Sequence, residues 1–200
     1  MSRTPAPDAR DRILAGAARL FDAHGVHAVG LQQIIDELGC GKNFLYREFP
    51  TKDDLVVAYL RRCRQDWESI IEQASRPHEG DPASQLVAIV NAVAEQASTA
   101  GFRGCPVHNT NAEFPEQQHP AHRASAEHFI AVRALLLDLA KRAGARDPRT
   151  LADRIELIID GLNSNAAAHG VHGAAPAAVA FAEEVVRAAV RPLSSPQTTS

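Results

Sequence analysis

The chemically richest stretch outside the N-terminal part of the chain is GFRGCPVHNTNAEFPEQQHPAH, residues 101–122. Five of its side chains are of metal-ligand type: Cys105, His108, Glu113, His119 and His122. Their spacing is irregular and contains neither a zinc pattern nor His-x-x-x-His on one helical face, so we predict no metal and no cofactor. A thiol redox switch at Cys105 is the alternative, because Arg103 and His108 lie near it in sequence and could favour its thiolate.

The sequence also contains no pattern of an enzyme. The phosphate-binding and nucleophile motifs GxGxxG, GxSxG and GxxxxGK are all missing, and the nine histidines are scattered. Glu113 with His108 would be an acid–base pair, but no motif supports it. Three cysteines without a CxxC pair indicate reduced thiols rather than a disulfide framework. We therefore predict a protein that binds other molecules and does not catalyse.

A second stretch, GCGKNFLYREFPTKDDL at residues 39–55, has the chemistry of a nucleic-acid reader. On one helical face, Lys42, Asn43 and Arg47 could reach base edges, and Phe44 could touch a thymine methyl group. Tyr46 and Lys52 would contact phosphate oxygens, whereas Leu45 and Phe49 would face inward as anchors. The predicted DNA-contacting residues are Gln32, Lys42, Asn43, Phe44, Tyr46, Arg47 and Lys52.

Helical periodicity supplies the elements that must position these side chains. Apolar residues repeat at helical spacing over residues 8–24, 31–38 and 42–48, and Gly39-Cys40-Gly41 separates the last two helices. A fourth helix follows Thr51, whose hydroxyl can cap it while Asp54 takes the third position of a capping box. Two short helices joined by a glycine turn, with longer helices on either side, predict a helix-turn-helix unit.

The remainder of the chain also predicts helices and no strands, so the fold class is all-α. The expected helices cover residues 81–99, 119–143, 147–169 and 174–190, with a short helix or loop between the first two. Pro192 and the SSPQTTS tail are predicted to be disordered. The first ten residues lack the apolar centre of a secretory signal and no run of about 18 apolar residues occurs, so we expect a cytoplasmic protein that does not enter membranes.

Charge is divided unevenly along the chain, whose net charge is −3. Residues 1–65 carry ten basic and eight acidic side chains, whereas residues 66–200 carry eleven and sixteen. A locally basic head on an acidic body is compatible with binding a polyanion at one end.

The order and spacing of residues over 10–60 resemble the N-terminal signature of the tetracycline-repressor-like (TetR) family of transcriptional regulators. The matching positions are Ile13-Leu14, Ala17-Ala18, Leu20-Phe21, Gly25, Ile34 and the run from Lys42 to Leu55. The resemblance implies a homodimeric, all-helical repressor that binds palindromic operator DNA and is released by a small-molecule effector. It divides the chain into a DNA-binding domain at 1–50, a connecting helix at 51–75, an effector-binding and dimerisation domain at 76–195, and a tail at 196–200.

The resemblance also implies that the two C-terminal helices form a four-helix bundle with those of a second copy. Small residues would allow close approach in that bundle: Gly161, Ala166, Ala178 and Ala182. The expected effector pocket is lined by Trp67, Ile70, Cys105, His108, Asn109, Phe114, His128 and Asn163. The alternative to a DNA-binding regulator is a helical module that binds other proteins and has no DNA function.

Four positions depart from the family pattern. Gly30 and Gly41 stand where a capping Ser or Thr is usual, Phe44 replaces a small or hydroxyl residue, and Glu48 replaces a frequent His. Near a phosphate, Glu48 must either point away or be neutralised by Arg47. The operator sequence of a relative therefore does not transfer to this chain.

Overall fold

The structure, a computed structural model, describes residues 9–190 apart from the side chain of Val171. Within that range the chain is helical and contains no strand, which confirms the all-α prediction. The helices are α1 (Ala9–His24), α2 (Leu31–Leu38), α3 (Lys42–Glu48), α4 (Lys52–Ser75), α5 (Pro82–Ala97), α6 (Pro106–Glu113), α7 (Pro120–Arg142), α8 (Pro148–His169) and α9 (Ala175–Val190). Short 3-10 turns occur at Arg76–His78 and Gly170–His172. The predicted disordered tail lies outside the described residues.

Local signals fix where the short helices begin and end. The predicted bounds of α2 and α3 are those observed. Gly39 ends α2 in the left-handed region at φ 58°, and its N–H donates to the Asp36 carbonyl. Because glycine has no Cβ, it adopts this conformation without strain and lets the chain turn sharply into α3.

Three longer helices begin with side-chain caps. At α4 the predicted capping box is present, since Thr51 N–H donates to Asp54 Oδ2 and Asp54 N–H donates to Thr51 Oγ1, both at 3.1 Å. Asp81 and Asp147 cap α5 and α8 from an Asp-Pro-x-Ser/Thr sequence, each accepting a backbone N–H at 3.1 Å. The pKa of each capping aspartate is lowered, chiefly by the hydroxyl that donates to it.

The described chain forms two compact units. One comprises the described residues up to Glu68 together with Arg103–Ile130, and the other comprises Ser69–Phe102 together with the described residues from Ala131 onward. Helices α4 and α7 therefore each contribute to both units. The division by function at residues 50 and 75 stays a prediction.

The first unit is built on a core that α1 to α4 share with α6 and the beginning of α7. Ile13, Ile34, Leu45, Phe49 and Leu55 are completely buried. Val107 of α6, Phe114 and Ala121 of α7 are buried in the same cluster. The helix-turn-helix thus has no separate core of its own.

In the second unit, α5 packs against both α8 and α9. The buried residues of this unit include Leu86, Ile89, Val90, Leu151, Ile155, Leu162, Val185 and Val186. Arg133 adds an ion pair to Glu156 at 2.8 Å and a second one to Asp153. This unit presents α8 and α9 as a pair, as the sequence predicts.

Candidate nucleic-acid interface

Helix α3 is held by its inward face. Leu45 and Phe49 are both fully buried, as predicted for anchors. The guanidinium of Arg10 lies 4.2 Å from the centre of the Phe49 ring and donates to the Glu48 carbonyl at 2.7 Å. Arg10 therefore satisfies a free carbonyl at the end of α3, a role that sequence reasoning did not find because Arg10 is 38 residues away.

The outward face of α3 carries the predicted polar residues. Lys42, Asn43, Tyr46 and Arg47 are exposed, whereas Phe44 is half-buried against the core. Lys42 Nζ lies 5.7 Å from the centre of the Tyr46 ring. These side chains present two cations, an amide and a phenol to solvent on a single short helix. Such a surface matches the donors that DNA phosphates and base edges accept.

Arg47 neutralises Glu48. Arg47 Nε lies 3.2 Å from Glu48 Oε1, and its guanidinium lies 5.3 Å from the centre of the Phe44 ring. The structure thereby answers how an acidic residue is accommodated at this position. Because the Arg47 side chain is 52% exposed, this is a surface contact that leaves the guanidinium accessible to a ligand.

In the part of the chain that the structure describes, no side chain caps the N-terminus of α2 or α3. Gly30 and Gly41 occupy the two cap positions, and neither helix receives a hydrogen bond there from a described side chain. Free backbone N–H groups at a helix N-terminus attract anions. Gln32, in the first turn of α2, is exposed and donates to Asp36 Oδ1 at 2.8 Å.

Lys52 is less free than the cations of α3, because it is half-buried at the start of α4. Burial lowers the pKa of Lys52, whereas the carboxylates of Glu113 and Asp53 act to raise it. The ammonium group therefore lies within electrostatic range of the last residue of α6. A phosphate contact from Lys52 would compete with that attraction.

Glu113 fastens the turn between α1 and α2 to the end of α6. Its carboxylate accepts the N–H of Val26 at 2.9 Å and the N–H of His27, while His27 Nε2 donates to the Glu113 carbonyl at 2.8 Å. Gly25, at φ 84°, lies so close that an added Cβ would be 3.0 Å from Glu113 Oε1. We call this set of contacts the Glu113 latch. Arg103 reinforces it by donating to the carbonyls of Asp22, at 2.9 Å, and Ala23.

A stack of three rings lies beside the latch. Phe114 sits between His27 and His119, with ring centres 4.5 and 4.4 Å apart. His119 Nε2 lies 3.5 Å from Asp53 Oδ2, and His122 Nδ1 donates to the Phe114 carbonyl at 2.9 Å. Glu113, His119 and His122 thus have structural contacts here, while Cys105 packs against the core and His108 contacts Phe129. Among the described residues no group of three or more His, Cys, Asp or Glu is placed to hold a metal ion.

Six of the eight predicted effector-pocket residues lie in the first unit, where they do not form one cluster, and the other two belong to the second unit. Trp67, His108 and His128 lie together with Phe129 in the first unit, Phe114 belongs to the ring stack, and Asn109 is exposed and donates to the Arg103 carbonyl. Cys105 packs against the core of the first unit. Ile70 and Asn163 belong to the second unit.

The redox alternative gains no support from the neighbourhood of Cys105. Cys63 is near enough to Cys105 for the two thiols to interact electrostatically. Burial raises the pKa of the Cys63 thiol to about 12, and the Asp22 carboxylate adds to the effect. A thiol that stays protonated is a poor partner for thiol–disulfide exchange.

Helix α3 is anchored on its inner face, and its outer face is polar and cationic. Together with α1 and α2 it forms the helix-turn-helix of a regulator. Residues 13–59 match the family described as "Bacterial regulatory proteins, tetR family". The N-terminal part of the chain therefore carries the helix-turn-helix domain of this TetR family, and its relatives support a transcriptional regulator of the family, whose members are DNA-binding proteins and not enzymes. The resemblance seen in the sequence is thereby confirmed. No helix among the described residues is long and apolar enough to cross a membrane.

Three relatives show how far the similarity extends. The HTH-type transcriptional regulator YxaF of Bacillus subtilis is 35% identical over 102 residues, which make up 50% of this chain and 53% of YxaF. LmrA, an HTH-type transcriptional regulator of the same organism, is 28% identical over 144 residues, 71% of this chain and 76% of LmrA. The crystal structure of SCO4454, a TetR-family regulator from Streptomyces coelicolor, superposes with a TM-score of 0.86 at 28% identity and covers 92% of this chain and 97% of that one. The chain thus spans about half the length of the first of these relatives.

Proposed function

We propose that this protein is a one-component repressor that binds a palindromic operator as a homodimer and is released by a small-molecule effector. The observation that carries the proposal is the two-sided α3. Leu45 and Phe49 are fully buried on one side, and Lys42, Asn43 and Arg47 are exposed on the other. A rigidly held helix with exposed donors can enter the major groove and read base edges.

Operator recognition is tested by a gel-shift titration against the DNA that flanks the gene of this protein, at two salt concentrations and with random DNA as competitor. We expect a shift that survives the competitor and weakens steeply with salt, because each phosphate contact releases counterions. No affinity for any DNA at low salt would contradict the proposal and favour the protein-binding module.

Variants distinguish the residues proposed to read the base sequence from those proposed to hold the protein on the phosphate backbone. Asn43→Ala and Arg47→Ala should relax discrimination at particular base pairs, whereas Tyr46→Phe and Lys52→Ala should weaken binding to all sequences alike. Lys141→Ala, which removes an exposed cation from the second unit, is the matched control and should leave binding unchanged. Equal losses on specific and random DNA for all four variants would show that α3 does not read sequence.

The dimer would form through α8 and α9. Leu157 and Phe181 are large apolar residues that are 69% and 55% exposed, and they border a groove of about 730 Å³ that Gly161 and Ala178 also line. Of the four small residues predicted at the interface, Ala166 and Ala182 are instead buried within the second unit. A second copy that covers this face would remove both large side chains from water.

Release by an effector requires two arrangements of the dimer that bind the effector with different affinity. The candidate pocket residues of the first unit are the most plausible effector contacts, because Trp67, His108 and His128 lie in the unit that carries α3. Only the difference between the two affinities can shift the balance away from the DNA-binding arrangement.

A further inference from the structure

Two buried polar groups on α7 have no hydrogen-bond partner among the described residues. Ser125 is completely buried and His128 is 5% exposed, and neither Ser125 Oγ nor His128 Nδ1 makes a hydrogen bond within residues 9–190. Residues three apart on a helix lie on the same face, on successive turns. Burying a donor or acceptor without a hydrogen-bond partner destabilises the fold. The two groups therefore form a place where a partner from outside the chain would gain hydrogen bonds that the fold leaves unmade.

Aromatic rings surround this pair. The centre of the Trp67 indole lies 5.5 Å from that of His128, edge to face, and the Phe129 ring lies 5.8 Å from His128. His108 of α6 contacts Phe129 at 4.6 Å. Trp67, His108 and Phe129 are only partly buried, so the cluster extends to the surface of the first unit. Ring edges and faces of this kind favour an aromatic ligand.

The electrostatics of the cluster favour a ligand without charge. Burial, helped by His108 and Arg64, lowers the pKa of His128 to about 4, so that its imidazole is neutral at neutral pH. The nearby charges of Arg64 and Glu68 are paired with each other at 2.7 Å. A buried carboxylate or ammonium group on a ligand would find no free counter-charge in this pair, and its desolvation would be uncompensated.

We propose that Ser125 and His128 anchor an uncharged aromatic alcohol, a ligand of the phenol class, and that this contact is the effector site of the regulator proposed above. A hydroxyl both donates and accepts, so it can satisfy Ser125 Oγ and His128 Nδ1 in either imidazole tautomer. A carbonyl can only accept, and an ammonium group can only donate. The aromatic body of the ligand would pack against Trp67 and Phe129.

This position also couples to the DNA-binding helix. Phe129, Cys63 and Cys105 pack against the same hydrophobic core that buries Leu45 and Phe49 of α3. Because packed cores respond to added volume by discrete shifts, a ligand at His128 would favour an arrangement in which α3 is displaced.

The test uses the fluorescence of Trp67, which is the single tryptophan of the chain and lies against His128. The purified protein is titrated, without DNA, with para-ethylphenol and with three molecules of matched size: para-ethyltoluene, para-ethylbenzoate and para-ethylbenzylamine. We expect a saturable change with the phenol, binding at least tenfold weaker for the toluene, and no saturable change with the two charged compounds. Equal affinity for all four, or no saturable change with the phenol, would overturn the proposal.

Variants then assign the contact. Ser125→Ala and His128→Phe should each weaken phenol binding about tenfold while leaving the toluene unaffected, because they remove a hydrogen-bonding atom and keep the apolar surroundings. Circular dichroism confirms that each variant folds, and the four-compound comparison on the unaltered protein stands even where a variant does not. Unchanged phenol affinity in both folded variants would show that these atoms are not the anchor.

A parallel gel shift, first without any added compound, keeps the two proposals separate. If the protein binds the phenol but not DNA, the ligand site is supported and its role in regulation is wrong. If the protein binds operator DNA but not the phenol, the ligand site is wrong and the proposed repressor function stands. Release of bound operator by para-ethylphenol, and not by para-ethylbenzoate, is the result expected if both proposals are right.

Discussion

At the scale of single residues, the contact between Arg47 and Glu48 should limit how strongly the proposed reading helix α3 binds DNA. Arg47 Nε lies 3.2 Å from Glu48 Oε1, so the charge of the guanidinium is partly compensated. Glu48→Gln should raise affinity for DNA several-fold, because it frees Arg47 and removes a negative charge near the phosphates. Gel-shift titration over a salt series measures the change, with a salt slope steeper by about one.

The matching control is the same substitution in an Arg47→Ala background. If Glu48 acts through Arg47, the gain should be much smaller there, as a double-mutant cycle would show. A full gain in both backgrounds would mean that Glu48 acts only by general repulsion.

A second prediction at this scale concerns acid stability. Burial lowers the pKa of His128 to about 4 from its ordinary 6.5, with His108 and Arg64 acting in the same direction and Glu68 opposing them. The unfolded chain therefore binds more protons than the native one between these two values, and the free energy of unfolding should fall as pH drops from about 6.5 towards 4. His128→Phe removes this contribution and keeps a ring of similar size.

Thermal unfolding of the unaltered protein and of the His128→Phe variant, at about pH 7 and about pH 5, tests whether His128 lowers the stability in acid. The Tm of the unaltered protein should fall by several degrees more than that of the variant, since 1 kcal/mol corresponds to about 2–4 °C in a chain of this length. Asp22, whose pKa is raised chiefly by burial, acts in the opposite direction, but it does so equally in both proteins. Parallel loss in the two proteins would contradict the prediction.

At the scale of elements, the Glu113 latch joins α6 to the turn that precedes α2. Glu113→Ala leaves the N–H groups of Val26 and His27 without their acceptor, which should cost about 1–3 kcal/mol of stability. Because the turn then loses its fixed position, operator affinity should fall as well. Thermal unfolding and gel shift measure the two effects.

Glu116→Ala is the control, since it removes a glutamate of the same charge that is exposed three residues further on. Glu113→Gln keeps one acceptor oxygen and should lose less stability than the alanine variant. A Glu113→Ala protein with unchanged stability and unchanged DNA affinity would show that the latch does not hold the turn.

The elements also show what the sequence could predict. Helices α2 and α3 and the Thr51 capping box follow from local periodicity and local caps, and all of them were predicted. The Glu113 latch joins residues 86 and 87 positions apart, so no periodic signal could reveal it. The sequence did not indicate Ser125 as a site residue for a related reason. A single serine in a helix gives no sequence signal, and only the structure shows that it is buried.

At the scale of the whole molecule, one compact unit combines elements that are far apart in the sequence. Helix α6 and the first part of α7 lie in the unit that contains the helix-turn-helix, although sequence similarity ends at residue 59 for the family match. Composition and periodicity place helices along the chain but do not say which of them share a core. That information comes only from three-dimensional packing, such as the burial of Val107 and Ala121 beside Leu45.

The last prediction concerns assembly. Two half-sites of a palindrome need two copies of α3, so the exposed face of α8 and α9 should bind a second chain. Leu157→Glu places a charge on a side chain that is 69% exposed, so it should not disturb the fold of the single chain, whereas across a two-fold interface it would face its own copy. Sedimentation or light scattering should show a dimer for the unaltered protein and a monomer for the variant.

DNA binding should follow the state of assembly. A monomer contacts one half-site, so Leu157→Glu should lose most of its affinity for the full operator while its affinity for random DNA stays nearly constant. Arg154→Glu alters an exposed residue that lines the same groove one helical turn before Leu157, and although it changes the charge by two units it should weaken the dimer less, because it removes no large apolar side chain. A Leu157→Glu protein that remains dimeric would place the interface on another face, and the apolar groove between α8 and α9 would then need a different occupant.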